Sequence, residues 1–558
     1  MKMNKIYKLA ALVLGASMLA TGCIKETFPH NGSTTYDEIG KSDFASEALA
    51  SAIPAILIRN NIFGSDYHED FGYPSIMATF DRAIGEILPM GVNQYADRFQ
   101  YYSYQFSVGP TGYCSFVWNH YYQFIKVAND LIKVSDNNVD LGVAKTFRAL
   151  YYLDLARFYD PLYAKSTEVE SYMAELENVE GLTVPIVDEN TTEEMAKNNP
   201  RRPREEMFQY IFDELKEAEE LLKDYAPSSK NHPSLAVIYG LKARAYLWLG
   251  GFEPNLYDTA VYPDVLTNNA AYEKAAYYAR LAITTSGCTP LTEAEYCDPI
   301  TGFNKANNAW MWALIQSSET ILSNLHTWAA HMCCEGAWGY GSAALPGVRR
   351  KTYERMSDSD FRKKLIVGPN TTYNDYKDVT TLTRAEWSSF GLFGGNMQAY
   401  AHLKFRTNGG EKTNESVGNV VDIPLMRVEE MYLIEAEATA HYAPANGQTL
   451  IENFMRSYRD PKYEMMSLEL IDEIIFQKRV ELWGEGVLFF DFKRLDMGLD
   501  NAYSDTNAPA GLDFYSEGRC PVWNICIPTS EYQQNRALQG KNNPDPSMTL
   551  KAKSDVFQ

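Results

Sequence analysis

The sequence lacks the short signatures that announce common catalytic chemistry. No HExxH, GxSxG or GxxxxGK[ST] occurs in its 558 residues, so a zincin site, a nucleophile elbow and a P-loop have no anchor. Basic residues are in the minority: 51 Lys and Arg stand against 72 Asp and Glu, a net charge of −21. That balance opposes nucleic-acid binding, which needs a basic surface facing the phosphates. Long apolar runs are missing beyond "LAALVLGASMLA" at 9–20, and this run falls short of the about 20 residues a bilayer span takes. Cysteine is scarce, at eight.

The front end explains one of those cysteines. Lys2, Lys5 and Lys8 precede the apolar run, and small residues lead into Cys23 in "LATGC". Charge, apolar stretch and small residues in this order make a secretory signal. "LATGC" resembles the lipobox of bacterial lipoproteins, in which the cysteine is acylated and becomes the first mature residue. Residues 1–22 are therefore expected to be a signal peptide, Cys23 a lipidation site, and the polar, non-periodic residues 24–45 a tether. An odd seven cysteines remain, which cannot all pair within the chain. Cys288 with Cys297, and Cys520 with Cys526, stay open as pairs. A Cys333–Cys334 bond would be strained.

Aromatics are abundant: 38 Tyr, 26 Phe and 9 Trp. Many must be core, but flat rings with a polar handle also suit sugar C–H faces. The rest of the chain reads as mostly helical. Apolar residues recur at helical spacing in 118–134, 144–161, 203–223, 234–251, 270–287, 427–443 and 468–486. Asp160-Pro161 stops the second of these, Pro203 with the following acids starts the third, and Ser234 and Gly250-Gly251 bracket the fourth. The Ala/Tyr/Leu texture of the helix pairs looks like tetratricopeptide repeats, with an irregular period that embeds them in a larger fold. Residues 288–424, rich in Gly, Asn, Thr and Trp, read as long loops with short helices or strands. The tail from about 497 is polar and irregular.

The charged stretch 474–495 is expected to be structural. Arg479 and Glu481 lie two apart, so they face different sides of a helix and each needs its own partner. Gly486 is placed to end that helix. Asp491 and Arg494 follow it. Buried charges are costly unless paired, so a network locking helix to tail is the expectation.

Two late segments carry a family resemblance. "PLMRVEEMYLIEAEA" (424–438) and "IIFQKRVELWGEGVLFFDFKRL" (474–495) are similar to signature helices of the SusD/RagB family, with Arg479, Glu481, Glu485, Gly486, Asp491 and Arg494 on the pattern. Lys478 departs from it, standing where the family has Glu, and Val487-Leu488 replaces a polar turn. "ICIPTSEYQQN" (525–535), "AKTFRALYYLDLARFYDPLY" (144–163, with Asp160 for the usual Gly) and "RPREEMFQYIFDELKEAEELL" (202–222) also resemble family segments in the family's order. Lys25-Glu26 resembles the short acidic surface-sorting signals of such lipoproteins.

The resemblance implies a mainly α fold, with tetratricopeptide-like helix pairs as scaffold and a loop-rich ligand-binding region. It implies a lipid-anchored lipoprotein at the outer-membrane surface that captures an oligosaccharide and delivers it to a SusC-like TonB-dependent transporter, without catalysis or cofactor. The regions are read as 1–22 signal peptide, 23–230 N-terminal SusD-like region and 231–558 C-terminal SusD/RagB region. The alternatives are the same architecture binding peptides or another nutrient, a surface glycoside hydrolase, and a structural repeat protein of the envelope. Family members bind glycans on aromatic platforms in loops. Here Trp338 and Tyr340 stand among glycines, where rings can lie open, and are expected to contact ligand together with Trp328. The loop "GSDYHEDFGYPS" (64–75) offers Tyr67, Phe71 and Tyr73. Trp310 and Trp312 are expected in the core. "GYGSAA" (339–344) mimics a dinucleotide motif without the βαβ context it needs. His326, His331, Cys333, Cys334 and Glu335 match no familiar zinc spacing, and no metal is assigned.

Overall fold

The computed structural model describes residues 43–59, 68–90, 113–164, 170–321, 325–390, 396–510 and 512–546. Cys23, the tether before residue 43 and Tyr67 lie outside them. Helices dominate, as the periodicity requires. We label α1 (Asp43–Ile56), α2 (Tyr73–Ala83), α3 (Tyr113–Val134), α4 (Asn138–Tyr159), α5 (Arg204–Leu222), α6 (Leu235–Gly250), α7 (Asn268–Ser286), α8 (Val428–Tyr442), α9 (Pro444–Tyr458), α10 (Leu470–Glu481) and α11 (Leu488–Arg494). Four short strands, β1 (Leu88–Met90), β2 (Trp310–Leu314), β3 (Leu345–Gly347) and β4 (Ile423–Arg427), pair antiparallel as β1–β3 and β2–β4.

Sequential neighbours pack together: α3 on α4, α4 on α5, α6 on α7, α7 on α8 and α8 on α9. Amphipathic helices bury their apolar stripes on a neighbouring helix, whether the connection is short, as from α3 to α4, or runs through residues 287–427, as from α7 to α8. One apolar core runs from Ala50 to Leu538 and continues across residues 230 and 231. Trp310 and Trp312 are fully buried; Trp312 stands 4.7 Å from the Phe147 ring of α4. Among the described residues no helix is long and apolar enough to cross a membrane. All seven described cysteines are free thiols.

Two helix ends depart from the sequence reading. Ser234 precedes α6 but its hydroxyl caps no N–H. Helix α10 ends at Glu481, well before Gly486, because cations from other elements claim the carbonyls at its end. Lys404 Nζ donates to the Glu481 and Trp483 carbonyls, both at 2.9 Å, and Arg427 Nη2 to Glu481 at 3.0 Å. Helix C-termini present unsatisfied carbonyls that attract positive charge.

The expected network is present in 474–495. Arg479 reaches Glu86 at 3.0 Å, while Glu481 receives Arg459, Arg427 and Arg362. Lys478, the departure from the family pattern, bridges Glu437 at 2.7 Å and Asp491 at 2.6 Å. Arg494 joins the same two carboxylates. Asp160 is fully buried and takes a two-pronged contact from Arg204 of α5.

Lys493 caps α4. Its Nζ donates to the Arg157 and Phe158 carbonyls at 2.9 and 2.8 Å, and it is fully buried. Burial lowers its pKa to about 7, so the native state favours the neutral amine. The stability this confers is complete above the ordinary lysine range and is lost as pH falls towards 7. Urea unfolding of the wild type against Lys493→Met is expected to show the wild type gaining relative stability steadily from pH 7 to pH 10.

Candidate functional site

The described part of the 64–75 stretch, from His68 on, meets the stretch that carries Trp328, Trp338 and Tyr340. His68 sits beside Tyr340, its Nδ1 hydrogen-bonded to the phenol oxygen, and 5.0 Å from the His326 ring. Phe71 lies 4.7 Å from His331, which lies 5.1 Å from Tyr340. Trp328 meets Phe405 edge-on at 5.0 Å. Residues more than 250 apart in sequence thus form one aromatic and imidazole seam.

The glycines around Trp338 and Tyr340 do not open the rings to solvent. They allow close packing: a Cβ on Gly339 would lie 2.4 Å from the Ala330 carbonyl oxygen, and one on Gly341 2.4 Å from that of Cys333. The 339–341 turn is pressed onto the short helix Trp328–Met332, and Trp338 and Tyr340 are buried, at 8% and 5% exposure. Trp338 donates its indole N–H to Asn419 at 3.0 Å, and Asn419 also accepts from Thr327 at 2.7 Å. Trp328 and Phe71 are each 3% exposed. Tyr73 belongs to the scaffold beneath: its hydroxyl and that of Tyr121 both donate to Asp154 at 3.0 Å.

The seam also holds polar atoms that no described residue satisfies. Among the described residues neither ring nitrogen of His326 nor the indole N–H of Trp328 has a hydrogen-bond partner, although both residues are buried. They line a space of about 10 Å³ with Phe71, Gln316 and Thr327, room for one water-sized group. Burial, then the nearby His68, holds His326 below the usual imidazole range; burial, then Arg82, holds His331 well below it. Both favour the neutral ring, which both donates and accepts.

Glu335 turns away from the histidines. It pairs with Arg406 at 3.0 Å and accepts from the Thr380 hydroxyl. Among the described residues no group of three or more His, Cys, Asp or Glu is placed to hold a metal ion. The sequence reading missed His68, His326 as an unsatisfied group, and Asn419. "HED" inside the 64–75 loop was the available signal for the first; Asn419 had none.

Residues 336–546 match the sequence model of the SusD family. None of the curated proteins matches the chain. Among solved structures, a SusD-like carbohydrate binding protein from Bacteroides vulgatus superposes with a TM-score of 0.64 at 21% identity, over 88% of this chain and 96% of that one. Surface glycan-binding protein A from Bacteroides thetaiotaomicron, solved with laminarihexaose, gives 0.60 at 16% identity over 90% and 99%. A SusD superfamily protein from the same organism gives 0.60 at 15% over 88% and 98%. The C-terminal region carries the SusD family pattern, and the described chain as a whole has the SusD-like, mainly α fold.

Proposed function

We propose that this protein binds an oligosaccharide at the cell surface and hands it to a TonB-dependent outer-membrane transporter, by binding and hinge motion without breaking bonds. The observation that carries the reading is the seam. Rings from two distant segments surround donors and acceptors that no described residue pairs. Buried polar groups are normally satisfied, so His326 and Trp328 are suited to ligand hydroxyls, with Trp338, Tyr340 and Phe71 supplying ring faces. Tyr73 braces the floor, and Tyr67 directly precedes His68 in the sequence. Because the rings are covered in this conformation, entry requires the 339–341 turn and the His68–Phe71 stretch to part. The SusD-like fold shared with a protein solved on laminarihexaose supports a glycan as ligand.

A glycan array followed by calorimetry tests this. Binding of at least one oligosaccharide is expected, with no sugar released on incubation. Peptide binding without sugar binding, or released sugar, overturns it. Trp338→Ala and Tyr340→Ala are each expected to weaken that binding about tenfold, the equivalent of ~1.4 kcal/mol of ring contact. Trp338→Phe and Tyr340→Phe, which keep a ring, are expected to retain part of it. Unchanged affinity in both alanine variants would place the oligosaccharide outside the seam, and no binding of any sugar or peptide would leave a structural repeat protein.

Anchoring is assigned to acylated Cys23, since stable attachment needs more than one acyl chain. Mass spectrometry of the mature N-terminus is expected to find a lipid-modified Cys23, and Cys23→Ser is expected to move the protein from the membrane to the soluble fraction.

A further inference from the structure

A second site lies away from the seam and shares no lining residue with it. A cleft of about 220 Å³ opens between α3, the 185–199 segment and the short helix Thr529–Gln534. On α3, Asn119, Tyr122, Gln123 and Lys126 line it, spaced so that they form one stripe of the helix. Glu531 and Asn535 form the opposite wall. The walls are tied together: Asn535 exchanges hydrogen bonds with the Asn199 backbone at 3.0 and 2.6 Å, and Tyr122 donates to the Pro185 carbonyl at 2.8 Å.

The chemistry of the cleft is specific. Glu531 is part-buried and lines the cleft with Trp118, whose ring lies 4.6 Å from that of Tyr122. No Lys, Arg or His among the described residues forms an ion pair with Glu531, and the lysine on the rim, Lys126, is bound to Asp130 at 2.7 Å. Burial pushes the Glu531 carboxyl up from its ordinary value. A carboxylate partly removed from water without a counter-charge is costly, and a ligand cation lowers that cost. The volume is below the usual 300–1,000 Å³ of sites for drug-sized ligands, which limits the occupant to a single ring or side chain. The Asn119 and Gln123 amides at the mouth suit hydroxyl groups, and the Tyr122 ring offers a flat face.

We propose that this cleft binds one amino-sugar residue with a free amine, its ammonium held by Glu531, its ring edge against Tyr122 and its hydroxyls at Asn119 and Gln123. The assignment is independent of the seam: Trp338→Ala leaves it unaffected, and failure of either site leaves the other standing.

The test is calorimetry of the whole protein at pH 7 with glucosamine, glucose and N-acetylglucosamine. Glucosamine is expected to bind about tenfold or more tighter than the other two, as for a hydrogen bond to a charged group. Glu531→Gln keeps the size of the side chain and removes its charge, so its melting temperature is expected to stay unchanged while the preference is lost. Gln123→Ala, at the mouth, is expected to weaken glucosamine a few-fold. Equal binding of the three sugars, no glucosamine binding, or a preference that survives Glu531→Gln overturns the proposal. Tighter binding of Nα-acetyl-lysine amide than of glucosamine overturns the sugar as occupant.

Discussion

Replacing Glu481 with alanine is expected to leave a protein that does not hold its native fold. Glu481 is fully buried, and Arg459 contacts its two oxygens at 2.7 and 3.0 Å, with Arg427 and Arg362 each at 3.0 Å. These cations come from the 360s, from β4 and from the end of α9. The variant leaves several buried guanidinium groups short of a counter-charge, and breaking a buried pair costs about 3–5 kcal/mol, a large share of the usual 5–15 kcal/mol. Loss of the cooperative urea transition, or its shift to much lower urea, is the measurement. A transition within the error of the wild type would mean that the surrounding charges reorganise without it. The same site sets an acid limit. Burial alone would raise the Glu481 pKa, but Arg459 and Arg427 outweigh it and hold the carboxyl well below its ordinary range. Its contribution is therefore complete above the usual glutamate range and is lost as pH falls below it.

Gly486→Ala is expected to be nearly as damaging, for a steric reason. Gly486 has φ +77°, a region that costs other residues about 1–2 kcal/mol, and its N–H donates to Asp81 at 2.9 Å. A Cβ there would lie 2.1 Å from Met77 Cβ and 2.7 Å from Met77 Cα on α2. Backbone contact of this kind cannot be relieved by rotating a side chain, and overpacking adds about 1–3 kcal/mol. Thermal unfolding is expected to show a midpoint many degrees lower. A midpoint within two or three degrees of wild type, roughly the shift of 1 kcal/mol in a large domain, would show that α2 yields.

Gly486 also shows how local reading and tertiary outcome differ. In the sequence it is a plausible helix stop. In the structure α10 has already ended at Glu481, and Gly486 instead lets the chain pass against Met77. The glycines at 339 and 341 show the same thing. Flanking two aromatic residues, they fit an open platform or a tight turn equally well. The carbonyls of Ala330 and Cys333 decide for the turn.

The sequence by itself determined most of the long helices, though not α1, α2, α9 or α11, together with the mainly α class, the burial of Trp310 and Trp312, and the need for paired charges in 474–495. These follow from local periodicity and from the cost of a buried charge, both properties of short segments. Only the tertiary structure decided the rest. It brought Arg362 and Arg427 to Glu481, joined His68 and Phe71 to the 326–340 segment, and covered Trp338 and Tyr340. It also set Glu531 across from α3. Each depends on contacts between residues far apart in the chain, where no spacing rule operates and only the packing of the whole core selects the partner.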